Sequence, residues 1–134
     1  LGESAVGLFA TKELARRYRK GFPESLNGAP VLLPSRTAAL RRSIDSWLES
    51  KELHPLIRAE FDDTALLKAF GQTGEGLFPG SLAIQEEVKR QYEVELVGEM
   101  QGVREHFFAI SAERKIKHPA VLAISRTAKS DQFL

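Results

Sequence analysis

Short apolar runs alternate with segments whose apolar residues recur every three or four positions, and this rhythm holds along nearly the whole chain. Ala5-Val6-Gly7-Leu8-Phe9 reads as a buried strand. Thr11 follows as the N-cap of a helix running to Lys20, with Leu14 and Tyr18 four apart; Gly21 and Pro23 end it. Glu24 to Gly28 is a turn, and Val31-Leu32-Leu33 is a short strand closed by Pro34. The clearest amphipathic helix spans about Thr37 to Lys51. Leu40, Ile44, Trp47 and Leu48 make its apolar face, so the Trp47 stripe is core packing, while Arg41, Arg42, Asp45 and Glu49 are expected to face water.

His54 to Phe61 is the next strand, with Pro55 near its start, where a missing N–H is tolerated. Asp62 or Asp63 caps a helix carrying Leu66, Leu67 and Phe70, which Gly71 is expected to end. Leu77-Phe78 is a very short strand before Pro79-Gly80. Ser81 caps a further helix with Ile84, Val88 and Tyr92 at four-residue steps. Val94 to Val97 alternates apolar and polar side chains. Val103 to Ala112, containing Phe107-Phe108-Ala109-Ile110, reads as a strand buried on both faces. A last helix starts near Pro119, marked by Val121 and Ile124, and Ser130 to Leu134 is a tail. Strands alternating with helices make the fold class α/β.

Composition narrows the function. The chain has 134 residues, enough for one domain or one lobe, and 43% of them are apolar, enough for a core. With 19 basic and 18 acidic residues the net charge is +1, which argues against this chain gripping nucleic acid by itself. There is no cysteine, so disulfides, thiol nucleophiles and Cys-bound zinc are excluded, in keeping with a cytoplasmic setting. No apolar run approaches the roughly 20 residues of a membrane span. No signal peptide and no initiator Met are visible, so the chain is expected to begin inside a longer protein.

In α/β sheets ligands sit beyond the strand C-termini, near helix N-termini. That rule selects three loops: Pro34, Ser35, Arg36 and Thr37; Phe61, Asp62, Asp63 and Thr64; and Phe78, Pro79, Gly80 and Ser81, of which Ser35, Arg36, Thr37, Asp62, Asp63, Thr64, Phe78, Pro79, Gly80 and Ser81 are the candidate effector residues. Asp62-Asp63, with Glu60 just before it, offers oxygen donors to a cation. It reads equally as a helix cap plus a first-turn acid facing the helix dipole. Arg36 beside a helix N-terminus suits an anion, or is simply solvated.

Other features read as structure. Lys12, Arg16, Arg17, Arg19 and Lys20 spread around a helix as a solvated face. Gly74-Glu75-Gly76 is a turn. His54, His106 and His118 are scattered and structural. No catalytic or phosphate-loop motif occurs, so no enzyme and no cofactor are expected. The rival readings are a small α/β enzyme on an anionic substrate, with Asp62 or Asp63 as base and Arg36 as clamp, and a partner-binding lobe without a ligand.

Three stretches carry a family resemblance. Gly28 to Trp47, with Val31-Leu32-Leu33-Pro34-Ser35-Arg36 ahead of its helix, resembles the effector-binding region of LysR-type transcriptional regulators. Glu60 to Gly71 and Ala112 to Val121, together with Leu1-Gly2-Glu3-Ser4, resemble the sodium-responsive branch that activates sodium/proton antiporter genes. The resemblance implies a periplasmic-binding-protein-like (type II) effector domain, mainly its second lobe, as a three-layer α/β/α arrangement with a mixed sheet. Residues 1–100 would be that lobe. Residues 101–134 would be a strand and helix returning to the first lobe. It further implies a small effector or sodium ion in an interlobe cleft, with Asp62 and Asp63 as the cation's ligands. Promoter DNA would be bound through a separate N-terminal domain, by a homo-oligomer that makes no membrane contact.

Overall fold

The computed structural model describes residues 2–107, with side chains to residue 106. Two compact units divide the chain, Ser4–Glu105 and a second made of Leu1–Glu3 with His106–Leu134. The expected Phe108-Ala109-Ile110 strand, the helix from Pro119, His118 and the resembling stretch Ala112 to Val121 lie outside the described residues.

The elements run β1 (Gly2–Ala10), α1 (Lys12–Arg19), β2 (Pro30–Pro34), α2 (Ala39–Ser50), β3 (Leu56–Phe61), α3 (Thr64–Gln72), β4 (Phe78–Ser81), α4 (Gln85–Tyr92) and β5 (Glu95–Phe107). β4, β1 and β5 form one sheet in that order, with β4 antiparallel to β1, and β2 pairs β3 in parallel. A parallel bridge between Val31 and Leu77 joins the two: the Leu32 amide donates to the Leu77 carbonyl at 2.7 Å, and the Leu77 amide to Pro30 at 2.9 Å. The sheet is therefore mixed.

Strand alternation sends neighbouring residues to opposite faces. Leu8, Val31, Leu33 and Leu77 enter one core, with Ala15, Ile44 and Trp47 packed over them from α1 and α2. Phe9, Leu32 and Phe78 enter the other, under Leu67 and Val88 of α3 and α4. Helices thus cover both faces, the three-layer order expected.

Five local expectations are corrected. Arg41 does not face water: it is 3% exposed, because α2 turns that position onto the ends of β2 and β3. Gly71 does not end α3; it lies inside the helix, where a Cβ would overlap the Phe78 ring, and the chain reverses instead at Gly74 with φ +88°. Close approach of helix to strand, not chain reversal, is what that glycine supplies. Leu67 with Gly71 forms the buried face of α3, leaving Leu66 49% and Phe70 43% exposed. Pro79-Gly80 continues β4 rather than breaking it. Val94–Val97 and the start of the Val103 strand belong to one long β5, not two strands, with Gly102 at φ +93° inside it.

Helix starts also shift slightly. Thr11 occupies the N-cap of α1 without a side-chain cap bond, and α2 begins at Ala39 with Ala38 as its N-cap. Of Ile84, Val88 and Tyr92, only Val88 is buried.

Candidate functional site

Parallel pairing of β2 and β3 sets Pro34 opposite Phe61, and the Ser35 amide donates to the Phe61 carbonyl at 2.8 Å. The loops after these strands therefore start side by side. Ser35, Arg36 and Thr37 form a turn closed by the Ala38 amide on the Ser35 carbonyl at 3.0 Å. The Ser35 and Thr37 hydroxyls lie 3.3 Å apart, and Arg42 donates to the Thr37 carbonyl at 3.1 Å.

Arg41 anchors this corner. Its Nη1 donates to the Pro34 carbonyl at 2.9 Å and to Glu60 at 2.7 Å, and its Nε to Asp45 at 2.9 Å. Burial works against its charge, but the bonds to Glu60 and Asp45 outweigh it and raise its pKa. The hydrogen bond from Arg41 in turn holds the Glu60 carboxyl below the ordinary carboxylate range, against a smaller effect of burial. Arg36, 82% exposed, adds its charge to the same carboxylate with Nε at 3.7 Å. A guanidinium already shared with Glu60 is a weakened anion clamp.

Asp63 is the N-cap of α3, its Oδ1 accepting from the Ala65 amide at 2.8 Å and the Leu66 amide at 3.4 Å. Asp62 is exposed beside it. Among the described residues no three His, Asp or Glu side chains gather as a metal cluster. Phe78 is fully buried, its ring 6.0 Å from that of Phe9, so it is core rather than ligand surface. The Ser81 hydroxyl is 2.6 Å from that of Ser4 and accepts from the Ala83 amide, which makes it a strand tie and the cap of the short 3-10 turn Leu82–Ile84 rather than of α4, whose N-cap is Ile84.

Part of the expected set does converge. A cavity of about 60 Å³ is lined by Pro34, Thr64, Pro79 and Gly80, one or two residues from each selected loop, with Leu40 and Leu67 as apolar wall. Lys68 and Glu105 complete it. Burial lowers the Lys68 pKa and the Glu105 charge opposes that; burial raises the Glu105 pKa and the Lys68 charge opposes that. Sequence reasoning missed Arg41, Glu60 as its acceptor, Lys68 and Glu105. Lys68 follows the capped Thr64 by one helical turn, which was a readable signal; Glu105 lies far off in β5 and gave none.

No family model matches the chain. The transcriptional activator protein NhaR of Escherichia coli (strain K12) is 35% identical over 133 residues, 99% of this chain and 43% of that protein. The protein of the same name from Shigella flexneri matches equally. Among solved structures, the regulatory domain of a HypT mutant from Salmonella typhimurium matches with a TM-score of 0.54 at 22% identity, over 72% of this chain and 48% of that one. The Synechocystis CcmR regulatory domain in complex with 2-PG matches with a TM-score of 0.60 at 11% identity, over 91% and 63%.

Over nearly its whole length the chain is similar to the transcriptional activator NhaR, and its fold is that of LysR-type regulatory domains.

Its fold is that of these regulatory domains, periplasmic-binding-protein-like of type II. The curated relatives it matches are named as transcriptional activators. The chain spans less than half the length of the curated relatives it matches, 43%. Among the described residues no helix is long and apolar enough to cross a membrane.

Proposed function

We propose that this NhaR-like chain is the effector-sensing part of a cytoplasmic transcriptional activator. A small effector or a sodium ion binds at the loops following β2, β3 and β4, and a linked DNA-binding domain in the full-length homo-oligomer reads the result at promoter DNA. Residues 1–100 act as the second regulatory lobe, and 101–134 return toward the first. The observation that carries this reading is identity of 35% over 133 residues to an activator named NhaR. Convergence of Pro34, Thr64, Pro79 and Gly80 on one cavity supports the location.

The mechanism is a population shift: an effector that prefers one arrangement of the regulator enriches it, by no more than its difference in affinity for the two. The site assigned to it comprises Ser35, Arg36, Thr37, Asp62, Asp63, Thr64, Pro79, Gly80 and Ser81, with Asp62 and Asp63 as the cation's carboxylates.

Thermal melting of the full-length protein against sodium, lithium, potassium and small organic acids tests it, because a ligand of the folded state raises the midpoint with concentration. A sodium- or lithium-selective rise, lost in Asp62→Ala plus Asp63→Ala, supports cation sensing. No rise with any of them, and no change in promoter binding by gel shift, overturns the sensing role.

A further inference from the structure

Pro34, Leu40, Leu67 and Pro79 wall a small space at the strand ends with apolar side chains, yet two residues of opposite charge also line it. Lys68 comes from α3 and Glu105 from β5. Among the described residues they form no ion pair within 4.0 Å, so neither charge is spent on the other by direct contact. Both are only partly exposed, and each feels burial as a penalty relieved by the other's field. Charges held this way are retained at a cost unless something between them accepts and donates hydrogen bonds.

What fits is decided by charge and size. A simple anion drawn to Lys68 would also face the Glu105 carboxylate, and a simple cation drawn to Glu105 would also face Lys68; like charges in a low-dielectric site repel strongly. A group carrying both signs meets neither objection. At about 60 Å³ the space is small and suits the charged head of a ligand rather than a large molecule. The Pro34 carbonyl is already held by Arg41, leaving Thr64 at the wall as a further side-chain polar partner.

We propose that the cavity between Lys68 and Glu105 binds the zwitterionic head of a small amino-carboxylate, its carboxylate on Lys68 and its ammonium on Glu105. The assignment rests on the sensing role only for the consequence of binding, not for binding itself. Apolar contact with Leu40 and Leu67 positions the carbon between the two charged ends. Substituents on that carbon point out through the mouth.

Isothermal titration of the full-length protein with free glycine and β-alanine tests this, with acetate and methylammonium as half-ligands. At least one amino-carboxylate binds, and both half-ligands bind at least about tenfold more weakly, as expected when a charged hydrogen bond is lost. Lys68→Met and Glu105→Gln each weaken binding by about tenfold or more while keeping the wild-type far-ultraviolet circular dichroism spectrum. Should either fail to fold, Lys68→Arg and Glu105→Asp replace it, retaining charge and shifting its reach, with the same loss expected. Absence of binding by both amino-carboxylates, equal affinity for acetate, or unchanged affinity in the variants overturns the proposal. Gel shift on promoter DNA separates the two readings. Binding without any change in promoter occupancy removes the sensing role and leaves the site. A promoter response to some other effector, with no amino-carboxylate binding, removes the site and leaves the sensing role.

Discussion

Replacing Arg41 by Met removes a buried guanidinium while keeping most of its stem volume. Three bonds go: to the Pro34 carbonyl at 2.9 Å, to Glu60 at 2.7 Å and to Asp45 at 2.9 Å. The consequences differ by acceptor. Glu60 and Asp45 are 39% and 50% exposed and turn to water, so they add little. Pro34 is buried, and a buried acceptor stripped of its donor costs about 1–3 kcal/mol. The expected loss is therefore about 2 kcal/mol, below the roughly 3–5 kcal/mol of breaking a fully buried pair. For a domain of this size each kcal/mol moves the melting midpoint by about 3–6 °C, so Arg41→Met melts about 6–12 °C lower. Circular dichroism melts at pH 7 measure this. Hydrogen exchange adds a local readout: the Ala38 amide, closed on Ser35, exchanges faster once the corner loosens. A midpoint within about 2 °C of wild type would show that Arg41 does not hold the corner, on the same scale.

Glu60→Gln tests the same corner by pH. The Glu60 pKa is lowered on folding, so its carboxylate contributes stability above its ordinary value of 4.5, and that contribution is lost as pH falls through the lowered folded value. The wild-type midpoint should exceed that of Glu60→Gln at pH 7 and the gap should close in acid; a gap independent of pH refutes it. Asp63→Ala removes a cap bonded to two amides and costs about 1 kcal/mol, while Asp62→Ala stays within about 0.5 kcal/mol; equal losses in denaturant titrations would mean the cap is misassigned. Gly71→Ala gains about 1 kcal/mol of helix propensity but drives a methyl into the Phe78 ring, where overpacking costs about 1–3 kcal/mol. Net destabilisation is expected, and a rise in melting midpoint would refute the packing argument.

Much of the fold was legible because local signals and burial agree. Apolar runs around Val6–Phe9 and Val31–Leu33 are strands that feed both cores, Val6, Leu8, Val31 and Leu33 into one and Phe9 and Leu32 into the other, as a period of two requires. Gly21, with φ +79°, and Asp63, capping two amides, mark helix boundaries through backbone chemistry that acts over a few residues. Three loops of the candidate site were chosen from the chain by the strand-end rule, and the structure brings one or two residues of each to the same small cavity.

Polarity is a poor guide where partners are distant in sequence. Arg41 was expected in water because an unpaired arginine is costly to bury, and only the juxtaposition of α2 with the ends of β2 and β3 supplies the three acceptors that reverse the balance. Gly71 was expected to end its helix because glycine is a common stop, but the tight approach of Phe78 demands it within the helix. Phe78 itself was chosen for its loop and belongs to the core. Lys68 and Glu105 stand 37 positions apart, and no local pattern couples a helix residue to a strand residue at that range. By itself the sequence determined the order of strands and helices, their approximate ends and the family they resemble, since these follow from local propensity and period. Tertiary structure alone decided which charges are buried and paired and which glycine is a packing contact, because those depend on desolvation and contact between elements that meet only when the chain is folded.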